Sequence, residues 1–258
     1  MPKLDLKNAP GHQVLAAAGK KALRPGGFGA TDQLLTFANF QPRETVLELA
    51  ASFGDTAIRL AKQYGVRVTG IEKNPDSVAR AQVNVATAGL TQQVQIIQGD
   101  IFHLEQISEQ FDYVLAEAIL TMQTDAGKAK ILRGIYDRLK PGGRFLSHEL
   151  RVEGANADTI RRELSATIRV NAAPLSQDGW IRLVEEAGFV VESYDIGSMT
   201  LLNPSRIAQE EGVQTLLTIA WNMFTRPTIR QRILSMRETF VCYHSDLGYI
   251  VLTARKGN

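Results

Sequence analysis

Residues 46–55 read Val46-Leu47-Glu48-Leu49-Ala50-Ala51-Ser52-Phe53-Gly54-Asp55. A short apolar run gives way to small residues and a glycine. The next stretch, Thr56 to Tyr64, carries apolar residues at helical spacing. The pattern predicts a buried strand, a tight turn and a helix. Such a turn lets backbone N–H groups at a helix N-terminus come close to a ligand. A second apolar run, Val66 to Ile71, ends at Glu72, 18 residues past Gly54. An acid at the tip of a second strand, about 20 residues past the turn, is where a nucleoside-binding sheet holds ribose hydroxyls.

Outward from this unit, strands and helices alternate. Strands are expected at about 45–50, 67–72, 94–98, 111–116 and 144–150, and helices at about 55–64, 75–88 and 125–139. Strands separated by 10–15-residue helical patterns mean βαβ units and a doubly wound, Rossmann-like α/β sheet, mostly parallel. Right-handed crossovers put the ligand at the C-terminal strand ends. Two helices are expected before strand 1, over residues 12–23 and about 30–40, with Arg24-Pro25-Gly26-Gly27 between them and Thr31-Asp32 as caps of the second. Past strand 5 the rhythm changes. A helix is expected over 176–188, strands over 189–194 and 249–254, and one or two helices over 203–238, broken near Arg226-Pro227. The chain reads as a single domain, with residues 1–43 as an N-terminal helical segment and 151–175 and 200–240 as helical insertions on the ligand side, candidates for a substrate lid.

The 258 residues, 44% apolar and 22% charged, suit one sizeable core. A net charge of +2 gives no reason to expect a nucleic-acid or membrane-surface partner. Cys242 is the only cysteine, which excludes an internal disulfide and suits a reducing cytoplasm. The longest nearly uncharged stretch, Gly212 to Phe224, is too short to span a bilayer. Nothing calls for a metal, and the oligomeric state is open, a homodimer included.

Five further pieces join the opening one: VTGIEKN (68–74), QGDIFHL (98–104), FDYVLAEAIL (111–120), LKPGG (139–143) and the Gly179-Trp180 helix running into LVEEAGF (183–189). In this order and spacing the chain resembles the class I S-adenosylmethionine-dependent methyltransferases, over roughly residues 24–198 and 247–256. The resemblance implies a seven-stranded sheet whose last strand is antiparallel. It implies S-adenosyl-L-methionine as cofactor and a small-molecule methyl acceptor, its O, N or C nucleophile open. It also assigns cofactor-binding roles. Glu48 would take the amino group of the methionine part, and Ala50, Ser52 and Gly54 the turn. Glu72, with Lys73 beside it, would take the ribose. Asp100 and Ile101 would take the adenine, and Glu117 would face the methyl group. The family usually has glycine at all three turn positions. Here Ala50 and Ser52 replace two, and non-glycine residues disfavour positive φ.

Methyl transfer from a sulfonium needs alignment and water exclusion, and a base only where the acceptor must lose a proton. Glu117 and His148 follow strands that border the cleft and are the candidate bases; His103 and Glu149 also stand near. Each has a structural alternative: Asp100 as a helix cap, the others as buried or solvated polar groups. Arg226 to Arg237 carries four arginines, either an anion contact or a wet helix face. Trp221, Met223, Phe224 and Met236 would line an apolar pocket or form lid core. Two other functions fit the same sheet. A nicotinamide-dependent oxidoreductase lacks support from a GxGxxG signature. A non-catalytic cofactor-binding sensor or subunit draws its support from Ala50 and Ser52.

Overall fold

The computed structural model describes residues 5–257. Seven strands form one sheet in the order β3-β2-β1-β4-β5-β7-β6. β1 (Thr45–Leu49), β2 (Arg67–Glu72), β3 (Val94–Gln98), β4 (Phe111–Glu117) and β5 (Leu139–Val152) run parallel; β7 (Leu247–Lys256) lies antiparallel to both β5 and β6 (Phe189–Ser198). The inner strands are continuous apolar runs because helices cover both faces. On one face α2 (Gly27–Ala38), α3 (Asp55–Tyr64) and α4 (Pro75–Thr87) bury Leu34, Leu60 and Ala81 against Val46, Val68 and Leu115. On the other, α5 (Asp125–Arg138) and α7 (Gln177–Glu186) bury Ile131, Ile135 and Trp180 against Leu47, Val114 and Phe145.

A third core lies beyond the C-terminal strand ends. It joins α1 (Gly11–Ala18), α6 (Ala157–Ile168), α8 (Pro204–Glu211), α9 (Val213–Thr225) and α10 (Pro227–Cys242) through Val14, Leu164, Ile207, Ile219 and Met236. Among the described residues no helix is long and apolar enough to cross a membrane.

Several boundaries differ from the sequence expectation. α1 stops at Ala18, because Gly19 takes φ +103° and ends it before Leu23. α2 begins at Gly27, so Thr31 and Asp32 lie one turn inside and cap nothing; Thr31 is buried and Asp32 pairs with Arg59. The 203–238 stretch makes three helices. Arg226-Pro227 is one break, and Gly212 at φ +89° is the other. Strand register sets the site. Leu49 is level with Ile71 on one side and Ala116 on the other, and Glu117 is level with His148. The residues just past these pairs therefore share one edge.

Candidate active site

β1 sits between β2, which leads outward one way, and β4, which leads the other. This is the topological switch point, where open α/β sheets bind ligands. Three non-glycine residues take left-handed backbone there: Ala50 (φ +54°), Ser52 (φ +50°) and, after β4, Ala118 (φ +55°). Gly54 joins them at φ +80° as the N-cap of α3. The loop thus keeps a glycine-type conformation without two of the glycines. A non-glycine residue in this region costs roughly 1–2 kcal/mol. Glycine's greater unfolded-state entropy offsets about half of that. Ala50→Gly and Ser52→Gly should each stabilise the protein by about 0.5–1 kcal/mol, read as a higher urea midpoint at unchanged m-value. Lower midpoints for both would mean that the methyl and hydroxyl groups are packing contacts.

Glu72 shapes this loop. One of its oxygens accepts from the Ser52 N–H at 2.9 Å and the other from the Asn74 N–H at 2.9 Å. Lone pairs remain on both oxygens for further donors. Asp100 realises its helix-cap alternative, accepting from the Phe102 N–H at 3.0 Å, and also pairs with Lys73 at 2.9 Å. The Lys73 bond and the Phe102 N–H hold its carboxyl below the usual range. Ile101 beside it is half-buried against the core.

Glu48 is 6% exposed, and its Oε2 has no hydrogen-bond partner among the described residues. Burial, with the Glu117 carboxylate nearby, pushes its carboxyl up to about 8. Glu117 is its opposite. The Arg24 guanidinium pairs with it, and Thr31 Oγ1 donates to it at 2.5 Å. Arg24 also donates to Thr31 Oγ1 and to Thr56 Oγ1, each at 3.1 Å. Burial opposes ionisation of Glu117, but Arg24 and His148 outweigh it and hold the group ionised far below the ordinary range. His148 is wholly buried, and burial lowers its pKa against the pull of Glu117. The Gly26 N–H points at its Nε2 from 3.3 Å, so Nε2 accepts. Nδ1 then carries the proton and faces Glu117 Oε1 at 3.4 Å. Both ring nitrogens are engaged.

Glu149 is buried and points the other way, into the loop after β4. It accepts from the N–H groups of Ile119 (3.2 Å), Leu120 (2.9 Å) and Thr121 (2.8 Å) and from Thr121 Oγ1 (2.6 Å). Burial raises its carboxyl to about 7 against those four donors. Glu149 therefore fixes the loop that presents Ala118. His103 pairs with Glu105 on the surface.

Next to Ala118 lies a cavity of about 60 Å³, lined by α1, α6, α10 and the β4 and β6 loops. Leu15, Met122, Leu164, Met199, Met236 and Phe240 dominate its wall. Among the described residues His12, which is also exposed to solvent, is the only titratable side chain lining it. Desolvation lowers the pKa of His12, and Glu72 pulls it upward from the side of the cradle. The sequence reading overlooked His12, because a lone histidine opening an Ala-rich helix carries no motif. Of the four apolar residues proposed for a pocket, only Met236 lines it. Met223 is lid core, whereas Trp221 and Phe224 are 65% and 77% exposed. Three of the four arginines in 226–237 are exposed; Arg232 is buried and donates to the Ala9 carbonyl at 3.0 Å. A broader groove along the edge strand β3 lies away from all these groups.

Residues 41–188 match a family model described as a methyltransferase domain. An uncharacterized protein of Haemophilus influenzae is 34% identical, over 97% of this chain and 99% of that protein. The 27-O-demethylrifamycin SV methyltransferase of Amycolatopsis mediterranei is 28% identical, over 88% of this chain and 82% of that enzyme. In fold, phosphoethanolamine N-methyltransferase 2 of Haemonchus contortus, solved with S-adenosyl-L-methionine, superposes with a TM-score of 0.72 at 17% identity, covering 96% of this chain and 57% of that one. The sheet order, the cradle at the switch point and these matches agree: the chain belongs to the class I S-adenosylmethionine-dependent methyltransferase family.

Proposed function

We propose that this protein transfers the methyl group of S-adenosylmethionine to a small, largely apolar acceptor held in the cavity beside Ala118. The observation that carries the acceptor class is the cavity wall, apolar throughout except for His12. The cofactor end fits the site on its own terms. A buried, unpartnered oxygen of Glu48 suits an ammonium group. Glu72, with lone pairs free at the strand tip, suits paired hydroxyls. Asp100 and Ile101 offer an acceptor beside an apolar face, and the Ala50–Gly54 loop offers close backbone approach.

Bound cofactor supplies a methyl group on a sulfonium, already a good leaving group. The chain's share is positioning and exclusion of water. Glu149 holds the loop beneath the acceptor, and the α1, α6 and α10 side chains close over it. Glu117 and His148 serve as a fixed polar wall that seats Arg24, since their hydrogen-bonding capacity is spent on one another and on their neighbours. An acceptor hydroxyl in the cavity has His12 as its proton acceptor, unprotonated at neutral pH.

The test is calorimetric titration with S-adenosylhomocysteine, followed by radiolabelled methyl transfer to a panel of apolar alcohols, phenols and amines. Saturable binding is expected. Glu72→Ala should weaken it by about 1–3 kcal/mol, as for lost charged hydrogen bonds. His12→Asn should retain binding and lose the acid limb of the rate profile with hydroxyl acceptors. Binding without transfer to any acceptor would favour the sensor reading, and no binding at millimolar ligand would remove the cofactor site.

A further inference from the structure

α9 (Val213–Thr225) reads VQTLLTIAWNMFT and carries no charged residue. Only Thr215 and Ile219 are fully buried. Its outward side shows Val213 (62% exposed), Leu217 (64%), Trp221 (65%) and Phe224 (77%). Ala220 is exposed between them. A solvent-facing helix ordinarily puts charged residues on its outer side. Here the polar outward positions are Gln214, Thr218 and Thr225, all neutral.

The spacing is specific. Val213, Leu217, Ala220 and Phe224 follow one another at intervals of four, three and four residues. That is the seam along which one helix packs on another. It is also self-complementary in reverse. With two copies antiparallel about a two-fold axis, Val213 faces Phe224 of the second copy and Leu217 faces Ala220. Each pair sets a larger side chain against a smaller one, and Trp221 covers the flank. An isologous contact needs just this property, one patch matching itself.

We propose that α9 is the core of a two-fold interface between two copies of this chain. The four side chains present on the order of 500 Å² of apolar surface, judged from the area large side chains bury. A standard interface buries about 800 Å² per partner, so the stripe supplies the apolar centre and the neutral residues beside it begin the rim. Charge depletion with aromatic enrichment is the signature of an interface core. A lipid surface fits less well, because an interfacial membrane helix sets lysines and arginines along its polar face, and α9 has none.

The interface would bear on the acceptor cavity through α1. Asn222 Nδ2 donates to the Ala18 carbonyl at 3.1 Å. Glu211, at the α8–α9 joint, takes the buried Lys20 ammonium and the Lys21 N–H at 2.7 Å. α1 in turn contributes Gly11, His12 and Leu15 to the cavity wall. A second copy seated on α9 would therefore fix the wall that carries His12.

Sedimentation equilibrium of the full 28.4 kDa chain tests this. Twice the chain mass at micromolar concentration is expected. Leu217→Glu should raise the dissociation constant at least about 30-fold, the size of a hot-spot loss, with unchanged circular dichroism. Trp221→Ser serves where Leu217→Glu does not fold. Val83→Glu, on α4 and 64% exposed, should leave the dimer intact. A wild-type monomer at 100 micromolar (roughly the weak end of specific association) overturns the proposal. So does a dimer that both α9 variants leave unaltered. A monomer that pellets with phosphatidylglycerol vesicles, and loses this on Leu217→Glu, overturns it in favour of lipid.

Discussion

Glu48→Gln is expected to stabilise the ligand-free protein, and by more as the pH rises. In the folded state the carboxyl is pushed from 4.5 up to about 8, first by burial and then by Glu117. The sign follows from proton linkage. Below about pH 4.5 Glu48 is protonated whether the chain is folded or not, so it costs nothing. Between about 4.5 and 8 the unfolded chain releases the proton and the folded chain keeps it, so the wild type loses about 1.4 kcal/mol per pH unit from this group. Above 8 the loss is complete. Glutamine keeps the shape and does not ionise. The gap between variant and wild type should therefore open from near zero at pH 4.5 to about 4–5 kcal/mol at pH 8, read by urea denaturation at several pH values. Glu149 changes wild type and variant alike and drops out of the difference. S-adenosylhomocysteine should reverse the ranking. On the proposed reading its ammonium would pair only with the ionised Glu48, so wild-type binding should release a proton and tighten as the pH rises towards 8. Glu48→Gln should bind at least about tenfold more weakly, with a flat pH dependence, since a charge-assisted contact contributes about 1.5–3 kcal/mol. A constant stability gap across pH would show that Glu48 is ionised and paired in the free protein.

What the sequence made legible follows from which interactions are local. The β1–turn–α3 unit and Glu72 were readable because strand burial, turn size and helix spacing are encoded within about 30 residues. Glu48 could be flagged as a buried acid from its place in an apolar run. Its neighbours Glu117 and Arg24 could not, because they reach it from the end of β4 and from the segment before α2. Arg24-Pro25-Gly26-Gly27 reads as the break between two helices, and its arginine is a counter-ion of Glu117. Glu149 and His148 are adjacent in sequence and point to opposite sides of β5. Strand alternation implies as much, but assigning the sides needs the register of β4 against β5. The cavity proposed for the acceptor was least legible. Its wall comes from α1, α6, α10 and two loops far apart in the chain, each contributing ordinary apolar residues. The α9 stripe was visible as an uncharged run, yet only burial separates an outward seam from lid core.

Arg24 carries the second large effect. Arg24 and Glu117 are 12% and 10% exposed and are paired at the edge of the cradle. Removing one partner of a buried pair leaves the other charge uncompensated, at a cost of about 3–5 kcal/mol. Arg24→Leu should sit at the upper end of that range near pH 7, because the buried Glu117 then keeps only neutral partners, His148, Thr31 and Thr56. The stability that ionised Glu117 contributes should also shrink. In the wild type Glu117 is held below its unfolded value of 4.5, so its contribution is present above pH 4.5 and is lost as the pH falls. Without Arg24, burial is opposed only by His148 and Thr31, so the carboxyl should titrate higher than in the wild type. The gap between wild type and Arg24→Leu should then widen from pH 4 to pH 7, because the variant gains less from ionising Glu117. Glu117→Gln on its own strands the arginine less severely, because a guanidinium at this edge still has Thr31 and Thr56 as partners. The double variant Arg24→Leu/Glu117→Gln should recover most of the loss, giving a coupling of at least about 2 kcal/mol in a double-mutant cycle. Additive single costs would mean that the two groups do not sense each other. Glu117 would then be free to act as a base, and the acceptor's proton would have two candidate destinations, Glu117 and His12.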